Sequence, residues 1–243
     1  MKLEQKLIKG VFKKRYKRFF ADVEVDGQVV TAHVPNTGSM KTCLQENAPC
    51  WLTHNPDPKR KLHWTLERMV IDGSQIGVNT RIPNNLVFEA WENGIVPHWT
   101  NFDRAQLEVK INSQSRLDLA LWNSKEVPQD LTKLKAPFND LKLHFVEVKN
   151  VTMAMGSTAY FPDAVTSRGA KHIEELLTLQ DLGHTCEMVF VIHRENITDF
   201  AIAKDIDPTY NAALLQAQKK GLQVTALLAE FDKDQVQLTR LLK

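Results

Sequence analysis

The amino-acid sequence predicts an α/β (α+β) protein in which a small all-β barrel precedes a larger domain of mixed strands and helices. Three observations carry this. Between Ile8 and Val78, short alternating runs are separated by Asp-Gly turns, with no helical period. Around Ile82-Pro83-Asn84-Asn85, where the asparagines suit a helix cap, the pattern becomes helical and stops at Asn93-Gly94. Beyond that point strands and helices follow one another to the end. The boundary falls at residue 82, giving a barrel over 1–82 and a second domain over 83–243.

In the first domain Phe19, Ala21, Val23 and Val25 alternate, Asp26-Gly27 turns the chain, and Val29, Thr31 and His33 resume. Leu62, Trp64, Leu66 and Arg68 repeat the pattern, with Asp72-Gly73 as the turn before Ile76 and Val78. Strands near Ile8–Tyr16 and Cys50–Thr53 bring the count to about five, as in an OB-type barrel. Pro35-Asn36-Thr37-Gly38-Ser39 is a polar, irregular loop. The second domain reads as strands Arg104–Ile111, Ser115–Trp122 and Leu143–Asn150, then a helix from about Asp163 to Leu182. Strand Cys186–Ile192 follows. A helix capped by Asp207-Pro208 runs to Gly221, and strand Leu222–Glu230 comes after it. The segment Asn123–Asp140 is an elaborated hairpin loop without evident chemistry.

Composition narrows the class. At 243 residues and 43% hydrophobic, the chain can bury one large core or two modest ones without staples. The first ten residues lack the apolar stretch of a secretory signal, and no later run reaches membrane-spanning length. Cys43, Cys50 and Cys186 form no CxxC pair, which argues against a disulfide framework or zinc cluster and for a reducing cytoplasm. A net charge of +2 announces no polyanion partner, but its distribution does. Lys9 to Arg18 holds six basic residues and no acidic one, and Lys59-Arg60-Lys61 lies in the same third of the chain.

The chemistry-bearing residues lie on strands of the second domain. In S-R-L-D-L-A-L-W, Leu117, Leu119 and Leu121 share one face, so Arg116 and Asp118 project from the other. In F-V-E-V-K-N, Val146 and Val148 point to a core and Glu147 and Lys149 to the opposite face. If these strands are neighbours, the groups converge in the helix-strand-strand-strand-helix-strand order of the PD-(D/E)xK nuclease core. Asp118, Glu147 and the Val148 carbonyl then suit Mg²⁺ or Mn²⁺, which lowers the pKa of a bound water. Lys149 orients that water and offsets negative charge, and Glu108 is a further acid. The helix after Phe161-Pro162-Asp163-Ala164 carries Arg168, Lys171, His172 and Glu175 on one side. The plain alternative is a half-buried strand, since Glu-x-Lys is common in such strands.

The basic arm interleaves Phe12, Tyr16, Phe19 and Phe20 with Arg15, Lys17 and Arg18. Rings on an OB surface stack bases while cations neutralise phosphates. Alternatively, the cations solvate an edge strand. His33 and His172 lack zinc-ligand spacing and read as hydrogen-bonded or phosphate-contacting groups.

Over nearly its whole length the chain resembles the bacterial sugar fermentation stimulation protein A (SfsA) family. The stretches that carry the resemblance are R-Y-K-R-F-F-A-D-V at 15 to 23, H-V-P-N-T-G-S-M at 33 to 40, K-R-K at 59 to 61, V-N-T at 78 to 80, S-R-L-D at 115 to 118, V-E-V-K-N-V-T at 146 to 152 and F-P-D-A-V-T-S-R-G-A-K-H at 161 to 172. The resemblance implies an N-terminal OB-fold, a PD-(D/E)xK-like domain, sequence-non-specific DNA binding and a regulatory link to maltose and sugar-utilisation genes. Carried over by position, Asp118, Glu147, Lys149 and Glu108 form the nuclease-like motif, and Arg15, Lys17, Arg18 and Asn36 to Ser39 the OB surface. Expected DNA or RNA contacts are therefore Arg15, Tyr16, Lys17, Arg18, Asn36, Thr37, Ser39, Lys59, Arg60, Lys61, Arg116, Arg168, Lys171 and His172. The function expected is a DNA-binding protein with a regulatory role; the alternatives are an active Mg²⁺- or Mn²⁺-dependent nuclease and, second, an OB module for oligosaccharides or proteins. The oligomeric state is not encoded legibly, and a homodimer is one option.

Overall fold

Strands β1 (Ile8–Tyr16), β2 (Phe20–Val25), β3 (Gln28–His33), β4 (Pro49–His54), β5 (Trp64–Ile71) and β6 (Ser74–Gly77) make up the first unit in the computed structural model. The structure describes residues 1–3, 5–127, 130, 131, 134, 136, 138 and 141–242. The strands pair in the order β3-β2-β1-β4-β5-β6, and a parallel β3–β5 contact closes the first five into a barrel. Both Asp-Gly turns have positive φ at each residue, 48° and 77° at Asp26-Gly27 and 49° and 76° at Asp72-Gly73. That geometry matches the twist of the paired strands. The interior is filled by Val23, Leu52, Leu66, Met69 and Ile76. Phe12, expected among the surface rings, is buried in this core, because strand alternation turns it inward between Val11 and Lys13.

The second unit comprises α1 (Pro83–Glu92), β7 (Arg104–Lys110), β8 (Arg116–Trp122), β9 (His144–Val151), β10 (Met153–Met155), β11 (Thr158–Phe161), α2 (Ser167–Asp181), β12 (Thr185–Ile192), β13 (Asp199–Ile202), α3 (Pro208–Lys219), β14 (Gln223–Asp232) and β15 (Gln235–Leu242). Its main sheet runs β15-β14-β12-β9-β8-β7, with β9, β12 and β14 parallel and antiparallel strands at both edges. Helix α1 lays Leu86, Val87 and Ala90 on one face, against Leu119, Val146, Val148 and Val189. Helices α2 and α3 lay Ile173, Leu176, Tyr210 and Leu214 on the other, against Phe145, Met188 and Phe190. A sheet covered on both faces explains the near-continuous apolar run of β12.

Three features depart from expectation. Helix α2 begins at Ser167, not Asp163, because the Thr166 side chain caps it by accepting from the Gly169 amide. Strands β10, β11 and β13, a small sheet of their own, and β15 were not foreseen. Of the loop expected over Asn123–Asp140, residues 128, 129, 132, 133, 135, 137, 139 and 140 lie outside the described residues.

The barrel is fixed to the second unit by buried polar contacts. Arg68, 2% exposed, donates to the carbonyls of Lys233 (2.7 Å) and Gln235 (2.8 Å), and its guanidinium lies 4.8 Å from the Phe231 ring centroid. The Gly77 amide donates to the His193 carbonyl, and a side chain at Gly77 would overlap the His193 ring. Residues 1–3 lie on the second unit, with Lys2 bridging to Gln235 and the Leu3 amide donating to the Asp234 carbonyl. Among the described residues no helix is long and apolar enough to cross a membrane.

Candidate active site

The site forms where β7 and β8 change layers. Ala105 and Leu107 pack with the α1 core, whereas Val109 and Ile111 pack with the α2–α3 core. On β8, Leu119 and Leu121 belong to the first and Leu117 to the second, so the three leucines do not share a face. The switch occurs at Glu108, whose φ of 58° breaks the strand alternation, and at Asp118 opposite it. Paired residues between β8 and β9 run from Leu119–Val146 to Leu121–His144, on one side of Asp118 only. Asp118 Oδ2 then takes the place of a main-chain acceptor, accepting from the Val148 amide at 2.7 Å. The carboxylate is thereby set into the sheet rather than hung from it.

Asn84, in the first turn of α1, donates through Nδ2 to Asp118 Oδ1 at 2.8 Å and to Glu108 Oε1 at 3.2 Å. Sequence reasoning placed Asn84 in a helix cap. The helix has no side-chain cap at Ile82, and the amide orients the two acids instead. Glu147, 2% exposed, shares Oε1 with Lys149 Nζ (2.6 Å) and His172 Nδ1. Arg168 Nε donates to His172 Nε2 at 3.3 Å, and Lys149 Nζ lies 3.0 Å from the same Nδ1 that contacts Glu147, so the four side chains form one network.

Two electrostatic facts set this group apart. Burial, and then the Glu147 charge, push the Asp118 carboxyl up to about 7. For Glu147, burial pulls upward, but Lys149 and His172 outweigh it and hold the carboxyl below its ordinary value. Glu147 Oε2 is buried with no hydrogen-bond partner among the described residues. An orphan carboxylate oxygen beside a carboxyl that resists ionising fits a hard divalent cation. The donor set is sparse: among the described residues no group of three or more His, Cys, Asp or Glu side chains is spaced to hold a metal. Asp118 and Glu147 are two such side chains, and Val148, between Glu147 and Lys149, also lines the cleft.

These residues line a cleft of about 860 Å³ whose other wall is the barrel loop Asn36–Gly38. Asp163 holds that loop in place, accepting through Oδ2 from the Ser39 hydroxyl (3.1 Å) and the Met40 amide (3.1 Å). On the barrel side Arg15 donates to the carbonyls of Asn36 (2.7 Å), Gly38 (3.0 Å), Ser39 (3.3 Å) and Arg18 (2.7 Å).

The expected contact residues thus fall into groups. Thr37, Arg116, Arg168, Lys171 and His172 line the cleft beside the carboxylates. Arg116 lies 3.4 Å from Glu108 and Lys171 3.7 Å from Glu175. Arg15 and Asn36 serve the loop, since the guanidinium is committed to carbonyls and the buried Asn36 amide donates to the Val78 carbonyl. Ser39 is committed to Asp163. Tyr16 stacks on Phe20 and donates to Asp22, so its ring rests on the barrel. Lys17 and Arg18 are exposed at a turn with positive φ, and Lys59, Arg60 and Lys61 sit on the β4–β5 connection; none of these lines the cleft. Burial, then Arg81 and Arg60, hold the His33 imidazole below its ordinary pKa.

Comparisons with known proteins agree along the chain. Residues 14–78 match the family described as SfsA N-terminal OB domain, and residues 81–235 the one described as Sugar fermentation stimulation protein RE domain. A sugar fermentation stimulation protein homolog of Bdellovibrio bacteriovorus is 44% identical over 249 residues, spanning 98% of this chain and 97% of the relative. One from Saccharophagus degradans is 37% identical over 247 residues, spanning 100% and 99%. The structure of Pyrococcus furiosus SfsA in complex with Ca²⁺ shares the fold, with a TM-score of 0.82 at 24% identity over 100% of this chain and 98% of that one. The closed barrel is accordingly an OB domain.

Proposed function

The chain belongs to the sugar fermentation stimulation protein family, and from that premise we propose that it binds nucleic acid and hydrolyses phosphodiester bonds in a PD-(D/E)xK-like cleft. The observation that carries this reading is the unpartnered, buried Glu147 Oε2 beside the raised Asp118 carboxyl. Held by Asp118, Glu147 and the Val148 carbonyl, Mg²⁺ or Mn²⁺ would supply a bound water of lowered pKa and a Lewis acid for the phosphate. The Ca²⁺ of the Pyrococcus furiosus protein, an ion that takes oxygen ligands, supports the same chemistry.

The chain's own groups supply the rest. Lys149 orients the attacking water and offsets charge that develops on the phosphate. His172, bonded through Nε2 to Arg168, holds the Glu147 carboxylate in place through Nδ1. Asn84 keeps Asp118 and Glu108 turned into the cleft. The first turns of α1 and α2, through Pro83, Asn84 and Gly169, also line it, and helix N-termini favour anions. Binding is sequence-non-specific, because the contacts on offer address phosphate rather than base edges. DNA is the expected polymer and RNA the alternative. A regulatory tie to maltose and sugar-utilisation genes would act through such binding in the cytoplasm.

The test is incubation of wild type and Asp118→Asn with single-stranded, duplex and branched DNA, with and without Mn²⁺, scored for shift and cleavage. Cation-dependent cleavage in wild type, lost in the variant with the shift kept, is the expected result. Shift without cleavage under every condition reduces the protein to a binder, and cleavage undiminished in Asp118→Asn removes this site from the reaction.

A further inference from the structure

The small sheet β10-β11-β13 turns one face to the core, with Ala154, Ala159 and Phe200 packed inward. Strand alternation puts Met153, Met155, Tyr160 and Ala201, with Thr158 and Asp199 towards the hairpin tip, on the other face, where register sets Tyr160 against Met153 on one side and Ala201 on the other. Met153 and Tyr160 line the cleft that holds the carboxylates, and Met155 at the hairpin tip is 62% exposed. Tyr160 and Met153 thus present a ring and a thioether to a cleft whose lining is mostly polar or charged.

We propose, resting on the hydrolase reading above, that this face is a stacking platform for unpaired bases, so that the cleft takes single-stranded nucleic acid or an unpaired end. Phosphate recognition alone needs no ring, and in duplex the faces of the bases are already stacked on one another. Stacking on aromatic side chains is the sequence-tolerant way to hold a single strand, and methionine adapts to whichever base follows. Size agrees: about 860 Å³ lies within the range, about 300–1,000 Å³, of sites that enclose a small ligand. That space holds a few nucleotides. The barrel loop bonded to Asp163 closes one side, and Asp163 lies two residues beyond the end of β11. Charge agrees as well, since Lys110, Arg116, Arg168 and Lys171 line the same cleft as Tyr160.

The experiment is direct binding of a short oligo-dT strand containing one 2-aminopurine, and of the same strand joined through a loop to its complement as a blunt hairpin, to the full chain in Ca²⁺. The single strand should bind at least about tenfold tighter than the hairpin, with quenching of 2-aminopurine as it stacks. Tyr160→Ala should weaken single-strand binding by about 5- to 100-fold and leave hairpin binding unchanged, while Tyr160→Phe retains wild-type affinity. Equal or tighter binding of the hairpin, or an equal loss for both forms in Tyr160→Ala, overturns the platform. Asp118→Asn in the same assay separates the two proposals. If it cancels the effect of Ca²⁺ while Tyr160→Ala changes nothing, the hydrolase reading stands and the platform falls. If Tyr160→Ala acts and Ca²⁺ affects neither protein, the platform stands without the cation site.

Discussion

Two buried carboxylates, Glu147 on β9 and Glu187 on β12, lie on opposite faces of one sheet and meet opposite fates. Register pairs Glu147 with Met188 and Glu187 with Val146, so their side chains enter different cores. Glu187 accepts from Trp99 Nε1 (2.8 Å), bonds His144 and His98 (both 3.0 Å), and is further bonded by the Thr225 side chain. Burial alone would raise its carboxyl, yet these partners, His144 foremost, bring it down to about 2. Glu147 has Lys149 and His172 on one oxygen and, among the described residues, no partner on the other, and its neighbour Asp118 is driven upward. A buried carboxylate saturated by its surroundings is an anchor for the fold. One left partly unsaturated beside a second acid has capacity in reserve, and such a pair marks chemistry rather than structure.

Substitution should expose the contrast. Glu187→Ala strips four donors of their acceptor and should cost about 3–5 kcal/mol in chemical denaturation, with divalent-cation response preserved. A loss below about 1 kcal/mol would show that the network is not an anchor. Acid should reach the same residue. A carboxyl held below its ordinary 4.5 contributes stability above that value and loses it as pH falls towards about 2, a gap worth about 3 kcal/mol. The corresponding segment of the stability–pH curve should flatten in Glu187→Gln.

At the other carboxylate pair the sign reverses. Asp118→Asn relieves repulsion from Glu147 and should stabilise the cation-free protein by roughly 0.5–2 kcal/mol at pH 8, since the Asp118 carboxyl is raised to about 7 and ionises above it. Smallest is the cation's own effect: Ca²⁺ or Mn²⁺ should raise the melting temperature of wild type by mass action, more at pH 8 than at pH 6, and leave Asp118→Asn unmoved. Equal shifts in both proteins would place the cation elsewhere.

These opposite signs also show what the sequence made legible. Alternation in F-V-E-V-K-N put Glu147 and Lys149 on one face and Val146 and Val148 on the other, as found, because that strand is regular. Alternation failed for Leu117, since a left-handed Glu108 is a tertiary choice with no residue signature. Asn84 imitated a helix cap, and its true partners lie 24 and 34 positions away. Glu187 passed unnoticed inside C-E-M-V-F-V-I, although one acid in so apolar a strand demands a partner and His98, Trp99 and His144 were available. Arg15 read as a phosphate contact because charge is visible in a sequence and the carbonyls that occupy it are not. Strand β15 was missed because its turn, Lys233-Asp234, lacks the glycine that announces a hairpin.

The Arg68 contact with the β14–β15 hairpin bears on how the whole molecule comes apart. Severed near residue 82, the OB barrel would carry a bare guanidinium where two carbonyls and a ring had been, and the hairpin would lose the cation its carbonyls face. Neither half can melt without exposing the other's unmet groups, so heating should produce a single cooperative transition rather than two.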